Sequence, residues 1–112
     1  MSPPTTIKRR GKKVTVVEME DILAKLKELK PIITARYKAK EIGLFGSFVR
    51  GEQSVSSDID VLVEFEEGAD LFDLIGLALY LEEALQREVD VVPKRVLRAE
   101  LQQSVLREVV FL

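Results

Sequence analysis

The stretch from Leu44 to Phe65, LFGSFVRGEQSVSSDIDVLVEF, determines how the rest of the chain is interpreted. Its second half alternates acidic and apolar residues, and residues two apart in a strand point to the same side. We therefore expect Asp58 and Asp60 to leave one face of a sheet, and Ile59 and Val61 to leave the other. Two carboxylates on one face repel each other unless a proton or a cation lies between them. Mg2+ is the expected cation because it prefers carboxylate, water and phosphate oxygens.

The first half of the stretch predicts a site for phosphate. Gly46 and Ser47 follow a short apolar strand and are expected to open a helical turn over 47–50. Glycine lets the backbone approach a ligand closely, and free N–H groups at a helix start attract anions. The Ser47 hydroxyl can donate to a phosphate oxygen, and Arg50 can add a forked cation. A plain helix N-cap at Ser47 is compatible with this role, whereas a surface ion pair is an equally weighted alternative for Arg50.

The order Gly-Ser, ten further residues, then Asp-x-Asp resembles the nucleotidyltransferase motif of the DNA polymerase beta superfamily. The longer text GSFVRGEQSVSSDIDVLVEF is similar to the minimal nucleotidyltransferases, or MNT proteins, which are small prokaryotic proteins commonly encoded beside a HEPN-domain ribonuclease. The resemblance covers the chain from about Glu18 onward. It implies an α/β (α+β) fold of the nucleotidyltransferase type, with a small mixed β-sheet and helices packed mainly on one face.

The resemblance also assigns roles to individual residues. Asp90 lies between Val89 and Val91 in a third predicted strand, and it matches the family's third carboxylate. The alternative is a solubilising charge on an edge strand. Six residues carry the implied site: Asp58, Asp60 and Asp90 as catalytic metal ligands, and Gly46, Ser47 and Arg50 as the nucleotide-phosphate group.

The implied reaction is nucleotidyl transfer from ATP with two Mg2+ ions, for which Mn2+ could substitute. A hydroxyl attacks the α-phosphorus, pyrophosphate leaves, and Asp90 is the candidate general base. The resemblance implies that the acceptor is a tyrosine of a partner HEPN ribonuclease toxin, which would make the protein an antitoxin. Two alternatives stay open: an antitoxin that masks the toxin without chemistry, and transfer to a small-molecule hydroxyl such as that of an aminoglycoside.

Composition narrows the classes of function. The chain of 112 residues fits one domain, and it contains no cysteine and no histidine. Disulfide frameworks, thiolate metal sites and histidine general bases are therefore excluded. No apolar run reaches the length of a membrane span and no secretory pattern opens the chain, so we expect a cytoplasmic protein. Self-association is compatible with the sequence but is not specified by it.

Charge is distributed unevenly, although the net charge is only −2. Five basic residues and no acidic residue precede Glu18. We expect residues 1–15 to form a flexible basic tail and residues 16–112 to form the nucleotidyltransferase domain. Weak contact of the tail with nucleic acid is an alternative to a solvated tail, but no aromatic residue interleaves the basic block as a stacking platform.

Hydrophobic spacing and turn residues predict the remaining elements. They are a helix from about Glu18 to Lys38 broken at Pro31, strands near 41–45, 59–65 and 88–92, a helix over 71–86 with Asp70 as its N-cap, a helix from Lys94 to about Arg107, and a short edge strand within 109–112. The helix over 71–86 is apolar almost all the way round. Such a helix is either buried on several sides or meets a partner.

Overall fold

The computed structural model describes residues 19–54 and 57–112. The predicted basic tail, residues 1–15, lies outside the described residues. In chain order the elements are α1 (Met19–Tyr37), β1 (Ala39–Phe45), α2 (Ser47–Arg50), β2 (Ile59–Phe65), α3 (Leu71–Leu85), β3 (Val89–Pro93), a 3-10 turn (Lys94–Val96), α4 (Ala99–Glu108) and β4 (Val110–Phe111).

The strands form one mixed sheet in the order β3-β2-β1-β4. β1 is antiparallel to β2 and to β4, whereas β2 is parallel to β3. A parallel neighbour requires a crossover connection, which α3 supplies between β2 and β3. The register places Asp60 beside Asp90 on one side and beside Phe45 on the other. The mixed sheet and the edge strand near the C-terminus are therefore as predicted.

One face of the sheet is covered by α1 and α3. Ile59, Val61 and Val63 of β2 have no exposed surface, and they belong to one apolar cluster with residues of both helices. α4 lies near the opposite face and contributes no buried residue. The prediction of helices packed mainly on one face is confirmed.

The predicted break at Pro31 is wrong, because α1 continues through this residue to Tyr37. Proline removes one helical hydrogen bond, to the carbonyl four residues earlier, here that of Lys27. Both Pro31 and Lys27 are exposed, so this carbonyl can be hydrated. Burial of Leu29 and Ile33 on either side of Pro31 holds the two halves of the helix against the sheet.

The helix predicted to start at Lys94 is also divided. The 3-10 turn ends at Val96, Leu97 and Arg98 have extended backbone angles, and α4 begins only at Ala99. The Gln102 side-chain amide donates to the Leu97 carbonyl at 3.1 Å and satisfies it at the interruption. This side-chain contact across the break is not visible in the helical periodicity of the sequence.

α3 begins as predicted, because the Asp70 carboxylate accepts from the Asp73 N–H and Asp73 accepts from the Asp70 N–H. The helix is not fully buried, however. Only Leu77 and Leu81 are buried. Four apolar side chains on its outer side stay exposed and are called the α3 stripe: Leu71, Phe72, Ile75 and Leu79. None of the helices in the described ranges is long and apolar enough to cross a bilayer.

Candidate active site

Two carboxylates from neighbouring strands open into one cleft on the face of the sheet opposite α1 and α3. Asp60 is half-buried and pairs in register with the exposed Asp90. The cleft has a volume of about 430 Å³. Its lining consists of Phe45, Gly46, Arg50, Asp60, Asp90, Val92, Leu97, Leu101, Ser104, Val105 and Glu108. Four of the six predicted site residues are thus brought together. Ser47 directly follows Gly46 and Asp58 is two residues before Asp60, but neither lines the cleft.

Gly46 is the residue of the predicted phosphate turn that lies against the Asp60 carboxylate. Its φ of +85° lies in the region that favours glycine, and a Cβ atom at this position would overlap the Asp60 carboxylate. Two separate constraints therefore require glycine here. The turn passes so close to β2 that a ligand on the turn would also be next to Asp60.

α2 follows this turn directly. Gly46 is the N-cap, Ser47 is the first helical residue, and no side chain caps the helix. The plain N-cap alternative for Ser47 is therefore wrong by one position. The fully buried ring of Phe48 anchors α2 in the core, so the turn is held between a buried side chain and the sheet.

The environment of Asp60 raises the pKa of its carboxyl above the usual value. Burial is the largest cause, followed by the negative charges of Asp90 and Asp58, while Arg50 acts in the opposite direction. Partial desolvation and neighbouring like charges both disfavour the ionised carboxylate. A cation bound among these acids would remove this penalty.

The donor set fits a hard divalent cation, since only carboxylate oxygens are offered. Within residues 19–54 and 57–112, no three acidic side chains lie close enough together to ligate a single ion as they stand. Asp58 and Asp90 are both exposed, and their negative charges act on Asp60. The protein therefore presents neighbouring carboxylates and not a finished three-ligand cage.

Arg50 forms surface ion pairs, which is the alternative to phosphate binding that the sequence left open for this residue. Its Nε donates to Glu52 at 2.9 Å, and its terminal nitrogen donates to both carboxylate oxygens of Glu108 at 3.2 Å. These hydrogen bonds raise the pKa of the guanidinium above its usual value. Arg50 still lines the cleft, so the ion pairs hold a cation at its edge.

Glu108 is the residue that the sequence interpretation missed. It lies in the last turn of α4, outside every predicted motif, yet its carboxylate accepts the Gly46 N–H at 2.8 Å. One signal was available in the sequence: an acidic residue near a helix C-terminus faces the negative end of the helix dipole. That unfavourable placement suggests a compensating partner elsewhere in the fold.

Comparison with known proteins identifies the family. Residues 26–112 match the model of the nucleotidyltransferase domain. A curated relative, protein adenylyltransferase MntA from Thermococcus cleftensis, is 46% identical over 99 residues, covering 88% of this chain and 96% of the relative.

Solved structures agree with this result. One assigned to the minimal nucleotidyltransferases is 39% identical with a TM-score of 0.74, over 84% of this chain and 95% of the other. Another, a tri-AMPylated Shewanella oneidensis HEPN toxin in complex with an MNT antitoxin, matches at 28% identity and a TM-score of 0.53, over 83% of this chain and 66% of the other. The chain belongs to the nucleotidyltransferase domain family, within the group of minimal nucleotidyltransferases whose curated relatives are protein adenylyltransferases.

Proposed function

We propose that the protein transfers AMP from ATP to a hydroxyl of a HEPN-family toxin and thereby acts as its antitoxin. The observation that carries the proposal is the side-by-side placement of Asp60 and Asp90 with the Gly46 turn in a single cleft. The AMPylated toxin bound to an MNT relative supports this choice of acceptor class. We expect the reaction to take place in the cytoplasm, where HEPN ribonucleases would find their RNA.

The residues of the cleft divide into two groups in this reaction. Gly46 would let the triphosphate approach the turn closely, and Ser47 through its hydroxyl and Arg50 through its positive charge would bind and orient it. Asp58, Asp60 and Asp90 would hold two Mg2+ ions, or Mn2+ in their place. When bound, these ions would neutralise charge on the triphosphate and lower the pKa of the attacking hydroxyl.

The chemical step is an in-line substitution at the α-phosphorus. The acceptor oxygen forms a bond to this phosphorus while the bond to the pyrophosphate oxygen breaks, and the hydroxyl proton passes to a base. Asp90 is the candidate base, because its exposed carboxylate stands beside Asp60 and opens into the cleft. The products are an AMP ester of the acceptor, pyrophosphate and a proton.

The test uses the purified protein, its toxin partner, Mg2+ and ATP labelled on the α-phosphate. We expect label on the toxin with the natural protein and none with Asp58→Ala or Asp60→Ala. Glu67→Gln, which changes an exposed acid in the turn after β2, is the matched control and should label normally. Label that appears on an added aminoglycoside and not on the toxin would support the small-molecule alternative.

Masking without chemistry is the second candidate function, and the α3 stripe favours it. Phe72 is 83% exposed and Leu71 is 64% exposed, which is unusual for adjacent large apolar residues. The stripe lies on the outer side of α3, whereas the carboxylates lie on the opposite face of the sheet. A toxin bound to the α3 stripe would therefore leave the cleft of the antitoxin open.

The two candidates are consequently separable by mutation. If toxin inhibition survives Asp58→Ala and Asp60→Ala but is lost when the stripe is made polar, masking is the mechanism. If inhibition is lost with the aspartates alone, transfer of AMP is the mechanism.

A further inference from the structure

Glu108 connects the C-terminal helix to both parts of the predicted phosphate group. Its Oε2 accepts the Gly46 N–H at 2.8 Å, and its two carboxylate oxygens each lie 3.2 Å from a terminal nitrogen of Arg50. Gly46 is buried, so this is the hydrogen bond that satisfies a main-chain donor withdrawn from water. The Glu108 side chain thus contacts both the Gly46 turn and the Arg50 guanidinium, the two groups that would face the triphosphate.

Apolar packing accounts for only part of the placement of α4, whose Val105 is partly buried. The helix contributes no buried residue, and Leu101 in its middle is 50% exposed. A carboxylate in the last turn is also placed against the helix dipole. The contacts of Glu108 compensate for that placement and connect α4 directly to the Gly46 turn.

We propose that Glu108 is a positioning residue that fixes the Gly46 turn and Arg50 for binding of the nucleotide triphosphate. This inference rests on the proposed function, since it concerns the same cleft. Glu108 acts through two other groups: the Gly46 backbone, which lies against the Asp60 carboxylate, and the Arg50 guanidinium, which it holds at the edge of the cleft.

The two contacts have different chemical requirements. Accepting the Gly46 N–H needs only an oxygen, whereas retaining Arg50 through an ion pair needs a negative charge. Glu52 already accepts from Nε of the same guanidinium at 2.9 Å. Without the Glu108 charge, we expect Arg50 to turn toward Glu52 and away from the cleft. Glu108→Gln should therefore remove only the ion pair with Arg50, whereas Glu108→Ala should remove both that ion pair and the hydrogen bond to the Gly46 N–H.

The experiment measures the dissociation constant of a non-hydrolysable ATP analogue with Mg2+ for the natural protein and both variants. We expect Glu108→Ala to weaken binding about tenfold or more, as loss of a hydrogen bond to a charged group implies, and Glu108→Gln to weaken it less. In the transfer assay, the KM for ATP should rise more than kcat falls. Glu100→Ala, an exposed acid in the first turn of the same helix, is the matched control and should bind normally.

A second readout does not depend on nucleotide. The Gly46 amide proton should exchange with solvent faster in Glu108→Ala than in the natural protein, with Glu108→Gln close to the natural rate. Because Glu108→Gln is nearly isosteric, it provides the test even if Glu108→Ala does not fold.

Two results would overturn the inference. Unchanged affinity in both variants would mean that the contacts are incidental, and tighter binding in Glu108→Ala would mean that Glu108 competes with the phosphates. Failure of the proposed function looks different: the variants would weaken analogue binding as expected, but no protein would place label on the toxin.

Discussion

The two faces of β2 differ in what they contribute, although they belong to the same seven-residue strand. On one face, Ile59, Val61 and Val63 have no exposed surface and hold α1 and α3. On the other, Asp60 faces a cleft beside Asp90, and its pKa is raised by burial and by like charges. The first face stabilises the fold, and so does the buried Leu62 on the second, whereas the partly buried charge of Asp60 opposes folding.

This contrast implies that activity and stability can be changed separately. Burial of apolar area is the dominant favourable contribution to folding. An ionised carboxylate whose pKa is raised lowers the stability of the folded state, because the folded state binds its proton more tightly than the unfolded chain does. Substitution of Asp60 should therefore remove chemistry at little or no cost in stability.

Asp60→Asn should show the largest effect. We expect transfer of AMP to fall by about 10³-fold or more, because the amide cannot hold a cation or stabilise charge as the carboxylate does. The same variant should unfold at an equal or higher temperature at neutral pH without divalent metal, since repulsion from Asp90 and Asp58 is removed. Labelled-ATP assays and thermal unfolding measure the two properties. A variant that is inactive because it is unfolded would contradict the separation of the two faces.

Gly46→Ala should have the next largest effect on transfer of AMP. The added methyl group overlaps the Asp60 carboxylate, and the residue has a φ of +85°. We expect transfer to fall about 10²-fold, as for a displaced catalytic group, and stability to fall by about 1–3 kcal/mol from backbone strain. Urea denaturation and the transfer assay provide the measurements.

Gly68→Ala is the matched control for that variant. Its φ is +95°, but nothing lies within 4 Å of an added Cβ. It should therefore lose similar stability while transfer is retained. Equal loss of activity in both variants would show that strain alone, and not contact with Asp60, matters at Gly46.

Phe72→Asp should have an intermediate effect that is confined to the α3 stripe. The side chain is 83% exposed, so the free energy of unfolding should change by less than about 0.5 kcal/mol. If the stripe binds the toxin, affinity should fall about tenfold or more while labelling at saturating toxin is kept. Glu83→Gln, an exposed polar change on the same helix, is the control, and calorimetric titration with toxin is the measurement.

The pH dependence of stability should show the smallest effect. The pKa of Asp60 is raised in the folded protein above the value of 3.8 for an unperturbed carboxyl. Between these two pKa values the folded state binds more protons, so stability falls as pH rises through this window. Urea denaturation without divalent metal should show this contribution in the natural protein and not in Asp60→Asn. A contribution of opposite sign would contradict this description of Asp60.

The sequence predicted the parts of the molecule that follow local rules. Alternation in β2 separates Asp60 from Val61, and the same alternation in β3 places Asp90 on the matching face. The register that brings Asp60 beside Asp90 follows once one face of each strand is buried. Asp70 as an N-cap is likewise a local property of the chain.

The features that the sequence did not predict depend on contacts that hydrophobic periodicity does not encode. α1 passes through Pro31 because Leu29 and Ile33 are buried against the sheet. The gap before α4 is stabilised by Gln102, and the Gly46 N–H is satisfied by Glu108, which is 62 positions away in the chain. Helical periodicity contains no information about such partners, so propensity alone assigns the wrong boundaries and omits Glu108.

We propose that Asp58, Asp60 and Asp90 together hold the cations of the reaction. The most direct test of this proposal is a crystal structure of the protein with Mn2+ and a non-hydrolysable ATP analogue, in which anomalous scattering locates the metal. We expect metal at about 2.1 Å from carboxylate oxygens of Asp58 and Asp60, with Asp90 drawn toward it and the triphosphate over Gly46. Metal bound elsewhere, with these three carboxylates left free, would contradict it.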